Sequence, residues 1–357
     1  MRGLGLRVPA QPVTPPRNRM THTPTPLTFR ALRLLSAVEF RSGERLAHSL
    51  GVSRTGVWRA LRGLDRVGVT LLRLRGRGYR LAAPIDWLDS AQIRRYLGAH
   101  RGAYELRVVD MLESTNTTLL VEAVQGAAGG LMLASELQTR GRGRRGRAWY
   151  AGLGGALTFS VLWRFEHGAG FLAGLGLAVG VALVRALRSL GLEDAMLKWP
   201  NDVIIRHHKL AGILVEIQGD VLGPSVAVVG VGINFRLDAS TRERVDQAAT
   251  DLVTAGAPHD RNRVLGQVLA HLADVVTVFR AHGFGSLRNE WGSYHVYAGR
   301  AVTVLLPDGG REEGTVAGVG DDGALLLQTR VGLRRFHSGE ISLRAVGGDQ
   351  RRRRASS

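Results

Sequence analysis

Lys198 and Lys209 are the only lysines in a 357-residue chain whose lysines and arginines together number 48. An ammonium is a compact point charge, whereas a guanidinium is a planar fork. A lysine retained in so arginine-rich a composition therefore suits a site where the planar fork cannot replace the compact ammonium. Each lysine opens a short segment, Lys198-Trp199-Pro200-Asn201-Asp202 and Lys209-Leu210-Ala211-Gly212-Ile213-Leu214-Val215-Glu216. Upstream, Gly141-Arg142-Gly143-Arg144-Arg145-Gly146 formally matches the G-x-G-x-x-G dinucleotide fingerprint, which needs a strand before it and a helix after it. Residues 136–140 are only weakly strand-like and Arg147 to Gly155 reads as loop, which excludes a Rossmann domain. Glycines interleaved with arginines instead describe a loop able to close over an anion, gripping phosphate oxygens with backbone N–H groups and guanidinium forks. Alone, the same composition suits an RGG-like nucleic-acid tract or a mobile surface loop. His207-His208 has no carboxylate or further histidine at ligand spacing, so a surface role is expected there rather than a metal.

The elements that must position these residues fall into three groups. At the front, Leu27, Ala31, Leu34, Leu35 and Val38 follow helical spacing. A short helix from Ser42 comes next, then the turn Gly51-Val52-Ser53, with Ser53 placed to cap a third helix. In that helix Val57, Leu61, Leu64 and Val67 point inward, leaving Arg54, Thr55, Trp58, Arg59 and Arg62 outward. Two short helices around a glycine turn, the second with a basic free face, fit a recognition helix for a major groove. Residues 69–74 and 79–82 flank the tip Arg75-Gly76-Arg77-Gly78, a wing whose arginines could reach phosphate. Residues 1–83 hold 16 arginines against Glu39, Glu44 and Asp65, which is +13 of the formal net +18. Such concentration implies a polyanionic partner. In the middle, residues 171–190 and 261–282 read as core helices. At the back, strands at 301–306, 313–317, 324–328 and 334–336 alternate with glycine-containing turns and describe a small barrel.

Taken in order, Glu113-Ser114-Thr115-Asn116, Gln138 leading into the arginine-glycine loop and Trp149, the two lysine segments, and Gly230-Val231-Gly232-Ile233-Asn234 closely resemble the signature of biotin protein ligases. With a winged helix in front, the chain resembles the bifunctional class that is both biotin ligase and repressor of biotin synthesis. The likeness runs from about Leu27 to Arg344. It implies an α/β (α+β) multidomain protein: a winged helix-turn-helix over 27–83, a class II synthetase-like mixed α/β ligase domain over 84–296, and an SH3-like β-barrel over 297–346. Disordered ends at 1–26 and 347–357 complete the expectation, with Met20 a second candidate start. Trp58 departs from the resemblance, since a smaller polar residue is usual there.

The resemblance also implies roles. Biotin would meet Ser114, Thr115, Asn116 and Gln138, with Gly230 and Gly232 nearby, while Arg142, Gly143 and Arg144 close over it. Lys209 and Arg144 would be catalytic and touch both substrates. Trp149 would pack on adenine, Arg147 would hold phosphate, Asn201 and Asn234 would line the adenylate site, and Asp202 would help with Mg²⁺ or ribose. Ser53, Arg54, Thr55, Trp58, Arg59, Arg62, Arg75 and Arg77 would read operator DNA. Biotin and ATP would give biotinyl-5′-adenylate, and a lysine of the biotin carboxyl carrier protein of acetyl-CoA carboxylase would then attack it. The adenylate-bound protein would be a homodimer.

A lipoate or octanoate ligase, a ligand-sensing transcription factor without catalysis, and a ligase whose front end binds no operator are the alternatives. The winged helix and arginine-glycine loop weigh against the first, the intact Lys209 and loop segments against the second, and the basic recognition face against the third. The chain has no cysteine, so disulfides and thiolate metal sites are excluded. It shows neither an uninterrupted apolar run of membrane-spanning length nor the apolar core of a secretory signal. A cytoplasmic protein without a membrane partner is expected.

Overall fold

The computed structural model describes residues 23–220, 222–245, 247–306, 310–337 and 342–345. The expectations for most of the extension, for the tail at 347–357 and for the turn at 307–309 lie outside these residues. The last residues of the extension do take part in the fold. Thr25 and Thr28 form a reciprocal capping box that starts α1 (Pro26–Arg33) one residue before the expected boundary.

The head continues with α2 (Gly43–Leu50), α3 (Arg54–Ala60) and a hairpin of β1 (Leu71–Leu74) and β2 (Gly78–Leu81). Gly51 closes α2 at φ +68°, and the Ser53 hydroxyl accepts from Gly56 N to open α3. Both helices expected to be longer end early. The first stops at Arg33, leaving Val38 82% exposed, because the chain must turn back for Arg41 to pair with Tyr79. The third stops at Ala60, where Gly63 at φ +71° hands over to a 3-10 turn at Leu64–Val67. Val57, Leu61, Leu64 and Val67 are nonetheless all buried, alongside Phe29, Leu32 and Leu46.

The central part begins at α4 (Ser90–Arg95) and runs through β3 (Glu105–Leu112), α5 (Thr115–Val124), β4 (Leu131–Gln138) and β5 (Ala156–Phe165). It continues with α6 (Leu175–Ser189), β6 (Ala195–Lys198), β7 (Asp202–Ile205), β8 (His208–Gly219) and β9 (Ser225–Asn234), then α7 (Ala239–Arg244), α8 (Leu252–Ala255), α9 (Arg261–His282) and α10 (Arg288–Tyr294). Seven strands form one sheet in the order β3-β4-β5-β9-β8-β7-β6, with only β3 and β4 parallel. A strand thus does precede the arginine-glycine loop, contrary to the weak strand signal at 136–140. The dinucleotide fingerprint still fails, because β5 rather than a helix follows.

Strand alternation sorts the sheet into two faces. Leu157, Phe159 and Val161 on β5 and Val229, Val231 and Ile233 on β9 join α6 and α9 in the main core. Leu162 and Val228 pack instead with Leu119 and Ala123 of α5 on the opposite face. Helix α9 is long and apolar enough to cross a membrane by composition, but it is a core helix, with Val264, Leu265, Val268, Leu269 and Leu272 fully buried.

The chain ends in β10 (Ala301–Leu305), β11 (Arg311–Val319), β12 (Leu325–Thr329), β13 (Gly332–Phe336) and β14 (Ser342–Ala345), an antiparallel sheet ordered β13-β12-β11-β10-β14. Side-chain contacts fasten it to the central part, among them Arg288 Nη1 to Asp321 Oδ1 at 2.9 Å. Trp199, 1% exposed, donates its indole N–H to Gly323 O at 3.1 Å. Within the central part, Val296 N donates to Leu197 O, bringing buried His295 against Trp291 with ring centroids 4.6 Å apart. Neither His295 ring nitrogen has a partner, and burial lowers its pKa to about 4 from 6.5. The unfolded chain binds this proton more readily than the folded one. Stability is therefore complete above pH 6.5 and falls as pH drops toward 4, by about 3 kcal/mol at 1.36 kcal/mol per unit. Urea unfolding at pH 7 and pH 4.5 should show a His295-dependent loss that His295→Phe abolishes; an equal loss in both proteins excludes the assignment.

Candidate functional site

The α5-facing side of β5, β8 and β9 carries the site, and its floor is made by glycine. Gly212 and Gly232 face each other across the β8–β9 ladder, with Gly230 two residues along. A Cβ on Gly232 would lie 2.5 Å from Trp149 Cε2, and one on Gly212 would lie 3.4 Å from Trp149 Cζ3. The indole therefore lies in a slot that Gly232 leaves open, its N–H buried without a partner. A Cβ on Gly230 would overlap the Asn116 side chain, which occupies the adjoining space.

Lys209 reaches this face because of a bulge. Ala211 pairs with Val203 and Lys209 with Ile204, so Leu210 is an extra residue in β8. Leu210 and Ala211 consequently both enter the core, fully buried, and Lys209 turns to the same side as Gly212 and Asp202. Its backbone is fixed on both sides, Lys209 N donating to Ala248 O and Lys209 O accepting from Thr250 N, each at 2.9 Å. The ammonium stands 2.6 Å from Asp202 Oδ1, an ion pair at contact distance without hydrogen-bond geometry. Arg144 is also drawn toward Asp202, while burial holds its pKa below the usual arginine value.

The arginine-glycine loop folds back on itself. Arg142 bridges Ala148, Gly143 N donates to Arg147 O at 2.7 Å, Trp149 N donates to Gly141 O at 2.9 Å, and Arg145 takes φ +60°. At its base lies a polar cluster built on the start of α5, where Ser114 caps the helix. Gln138 Oε1 accepts from Thr115 N at 2.8 Å, and Ser160 Oγ lies 2.7 Å from Thr115 Oγ1 and 2.5 Å from Asn116 Oδ1.

The structure thus brings together Ser114, Thr115, Asn116, Gln138, Arg142, Gly143, Arg144, Trp149, Asp202, Lys209, Gly230 and Gly232. Three expected residues behave differently. Asn234 spends its amide N–H on Lys209 O and Thr250 O, bracing the backbone of Lys209. Asn201 donates to Ile213 O at 2.8 Å and braces β8. Arg147 is exposed on the outer arm of the loop. Among the described residues no group of three or more metal-ligating side chains occurs; His207 lies in the exposed turn between β7 and β8, and His208 is the exposed first residue of β8. Ser160 and Gly212 were missed because their value lies in cross-strand register, which no local spacing displays.

On the head, Ser53, Arg54, Thr55, Trp58, Arg59 and Arg62 of the α3 region and Arg75 and Arg77 of the wing are all exposed. The Arg62 guanidinium sits 5.2 Å from the Trp58 ring centre, so the tryptophan shelves one arginine of the basic face. The head also touches the ligand side of the central part. Leu153, four residues beyond Trp149, donates its N–H to Val67 O at 2.7 Å, and Leu137 and Leu153 enter the head's core.

Fold and site define a winged helix-turn-helix joined to an acyl-adenylating ligase domain. The biotin/lipoate A/B protein ligase family matches residues 108–234, the biotin protein ligase C-terminal domain 297–344, and an HTH domain 28–80. The bifunctional ligase/repressor BirA of Salmonella typhimurium is 34% identical over 328 residues, 92% of this chain and 100% of that protein. That of Escherichia coli is 34% identical over 89% of this chain and 97% of its own length. The biotin protein ligase of Aquifex aeolicus in complex with biotin and ATP superposes with a TM-score of 0.57 at 29% identity, covering 68% of this chain and all of that one. The chain belongs to the family of bifunctional biotin protein ligase/repressors.

Proposed function

We propose that this protein joins biotin to ATP as biotinyl-5′-adenylate, releasing pyrophosphate, and passes the biotinyl group to a lysine of the biotin carboxyl carrier protein of acetyl-CoA carboxylase, forming an amide and releasing AMP. The observation that carries the reading is the meeting of Lys209, Arg144 and Asp202 beside a glycine floor and a neutral polar cluster. A carboxylate attacking the α-phosphorus gathers negative charge on the non-bridging oxygens of that phosphoryl group, and a point charge on a braced backbone is suited to stabilise it there. The uncharged Thr115, Asn116 and Gln138 side chains suit a ureido ring, which offers N–H donors and a carbonyl acceptor. The chemistry requires proximity, charge stabilisation and exclusion of water from a hydrolysable anhydride, with no protein nucleophile. Mg²⁺ would enter with the nucleotide, as that ion commonly binds one or two carboxylates plus substrate phosphates. Asp202 is the carboxylate at hand, and the ion would supply charge neutralisation on the phosphates.

The basic recognition face supports a second activity, repression of biotin synthesis genes by a homodimer on operator DNA. The contact of Leu153 with Val67 ties the end of the ligand loop to the DNA-binding head and supports a coupling between them. An adenylate can shift such an equilibrium only through its differential affinity for the dimer. Both activities belong in the cytoplasm.

Pyrophosphate release by the purified protein with ATP and Mg²⁺, comparing biotin, lipoate and octanoate, tests the ligase. Release with biotin alone supports it; release with lipoate or octanoate reassigns the substrate. Arg144→Gly is expected to let adenylate escape at least tenfold faster, because Arg144 is the half-buried cation over the site. Bystander proteins would then acquire biotin, and unchanged acceptor selectivity in that variant counts against the role of Arg144. Operator affinity independent of adenylate in a gel-shift titration refutes the coupling.

A further inference from the structure

We propose that Glu216 is the positioning residue that latches the arginine-glycine loop to the floor of the ligand pocket. The proposal rests on reading that pocket as the biotin and adenylate site. Glu216 lies on β8 on the site face, paired with Val228 across the ladder. Its carboxylate is divided between two partners. Oε1 accepts from Arg142 Nη2 at 2.7 Å, and Oε2 accepts from Asn116 Nδ2 at 2.8 Å. The Glu216 side chain is 23% exposed and that of Arg142 47%, so the carboxylate is the better shielded end of the pair.

Each partner leads to a different part of the site. Asn116 is 4% exposed and fills the space that Gly230 leaves by lacking a Cβ. Because its N–H is committed to Glu216, its carbonyl must face Ser160 Oγ. A serine hydroxyl has one proton, and Asn116 Oδ1 is an acceptor only, so Ser160 donates to it. Thr115 Oγ1 lies 2.7 Å from Ser160 Oγ and also reaches Gln138 Oε1 at 3.2 Å, and Gln138 Oε1 accepts from the Thr115 backbone N–H as well. The hydrogen-bond sense therefore runs from Ser160 through Asn116 to the carboxylate. An anion at its end sets the direction of every bond along the chain.

Arg142 is held in the other direction, with Nη1 also donating to Thr117 Oγ1 at 3.2 Å. A guanidinium has five N–H donors, and these contacts leave others for an anionic ligand. Arg142 can thus be anchored and grip substrate together. Glu216 orders the loop arm before the ligand arrives, lowering the ordering cost of binding.

The test uses full-length Glu216→Gln, which keeps the side chain's size and removes its charge. Hydrogen exchange of residues 141–149 in the ligand-free protein should accelerate about tenfold, the scale of one charge-assisted hydrogen bond. Dissociation of biotinyl-5′-adenylate should accelerate by a similar factor and KM for biotin should rise, with kcat for transfer from preformed adenylate unchanged. The exchanged pair Glu216→Arg with Arg142→Glu should recover the slow hydrogen exchange without recovering the adenylate lifetime. Unchanged exchange and unchanged adenylate release in Glu216→Gln overturn the proposal. Faster exchange in a protein whose wild type binds no biotin would support the latch and count against the ligand reading, so the two can fail separately.

Discussion

Arg261→Met is expected to cost this protein about 3–5 kcal/mol, the penalty for leaving a buried partner charge uncompensated. Arg261 opens α9 with a fully buried side chain, 2.7 Å from Glu136 Oε2, itself also fully buried. The pair is surrounded by backbone. Nη1 also donates to Asp86 O and Nη2 to Ala156 O, while Glu136 Oε1 accepts from Leu88 N at 2.6 Å. Arg261 N donates to Asp86 Oδ2, and Asn262 exchanges bonds with Asp89 N and Trp87 O. The whole segment 86–89 joining head to ligase is thereby clamped. Burial raises the Asp86 pKa, with the Arg261 N–H and charge opposing the shift.

Apolar replacement of an entire buried pair is often neutral elsewhere. Here Arg261→Met with Glu136→Met would also strand Asp86 O, Ala156 O and Leu88 N, at roughly 1–3 kcal/mol for each unsatisfied group. Denaturant unfolding should accordingly place the double variant well below wild type. Recovery of wild-type stability by the double variant would mean that those backbone groups find water. If the single variant remains folded, the connecting segment at residues 84–90 should also show faster hydrogen exchange.

Why this clamp escaped the sequence reading is instructive. Arg261 is one arginine in a chain full of them, and its partner lies 125 residues away. Periodicity exposed α9 as a core helix but says nothing about a charge buried at its first turn. The head was legible because its information is local: inward positions recur at helical spacing, serines cap, and Gly51 closes a turn. Its helix ends were misjudged because apolar spacing continues through Val38 and Val67 while Gly63 and the return to Tyr79 break the axis. The polar segments of the site were legible as motifs. Their geometry was not, since the Leu210 bulge, the Gly212 and Gly232 pair and Ser160 depend on register between distant strands.

That bulge makes Lys209 the most sensitive position for chemistry. Lys209→Arg conserves charge, yet it should lower pyrophosphate release by about 10²–10³-fold, comparable to removing one preorganised charge-stabilising donor. The ammonium already meets Asp202 at 2.6 Å, and a Cβ at Gly212 would come within 3.3 Å of its Nζ. A longer planar fork entering from the same braced backbone must displace Trp149 or run past Asp202. Either movement takes the charge off the point where it is needed, while the positive field that attracts the two anionic substrates persists. The loss should therefore fall chiefly on single-turnover pyrophosphate release, with biotin affinity changing less. Asp202→Asn provides the contrast, since it frees the ammonium without moving it and should cost adenylation less than Lys209→Arg. Retention of pyrophosphate release within about threefold in Lys209→Arg would mean that total charge, rather than its location, governs this step.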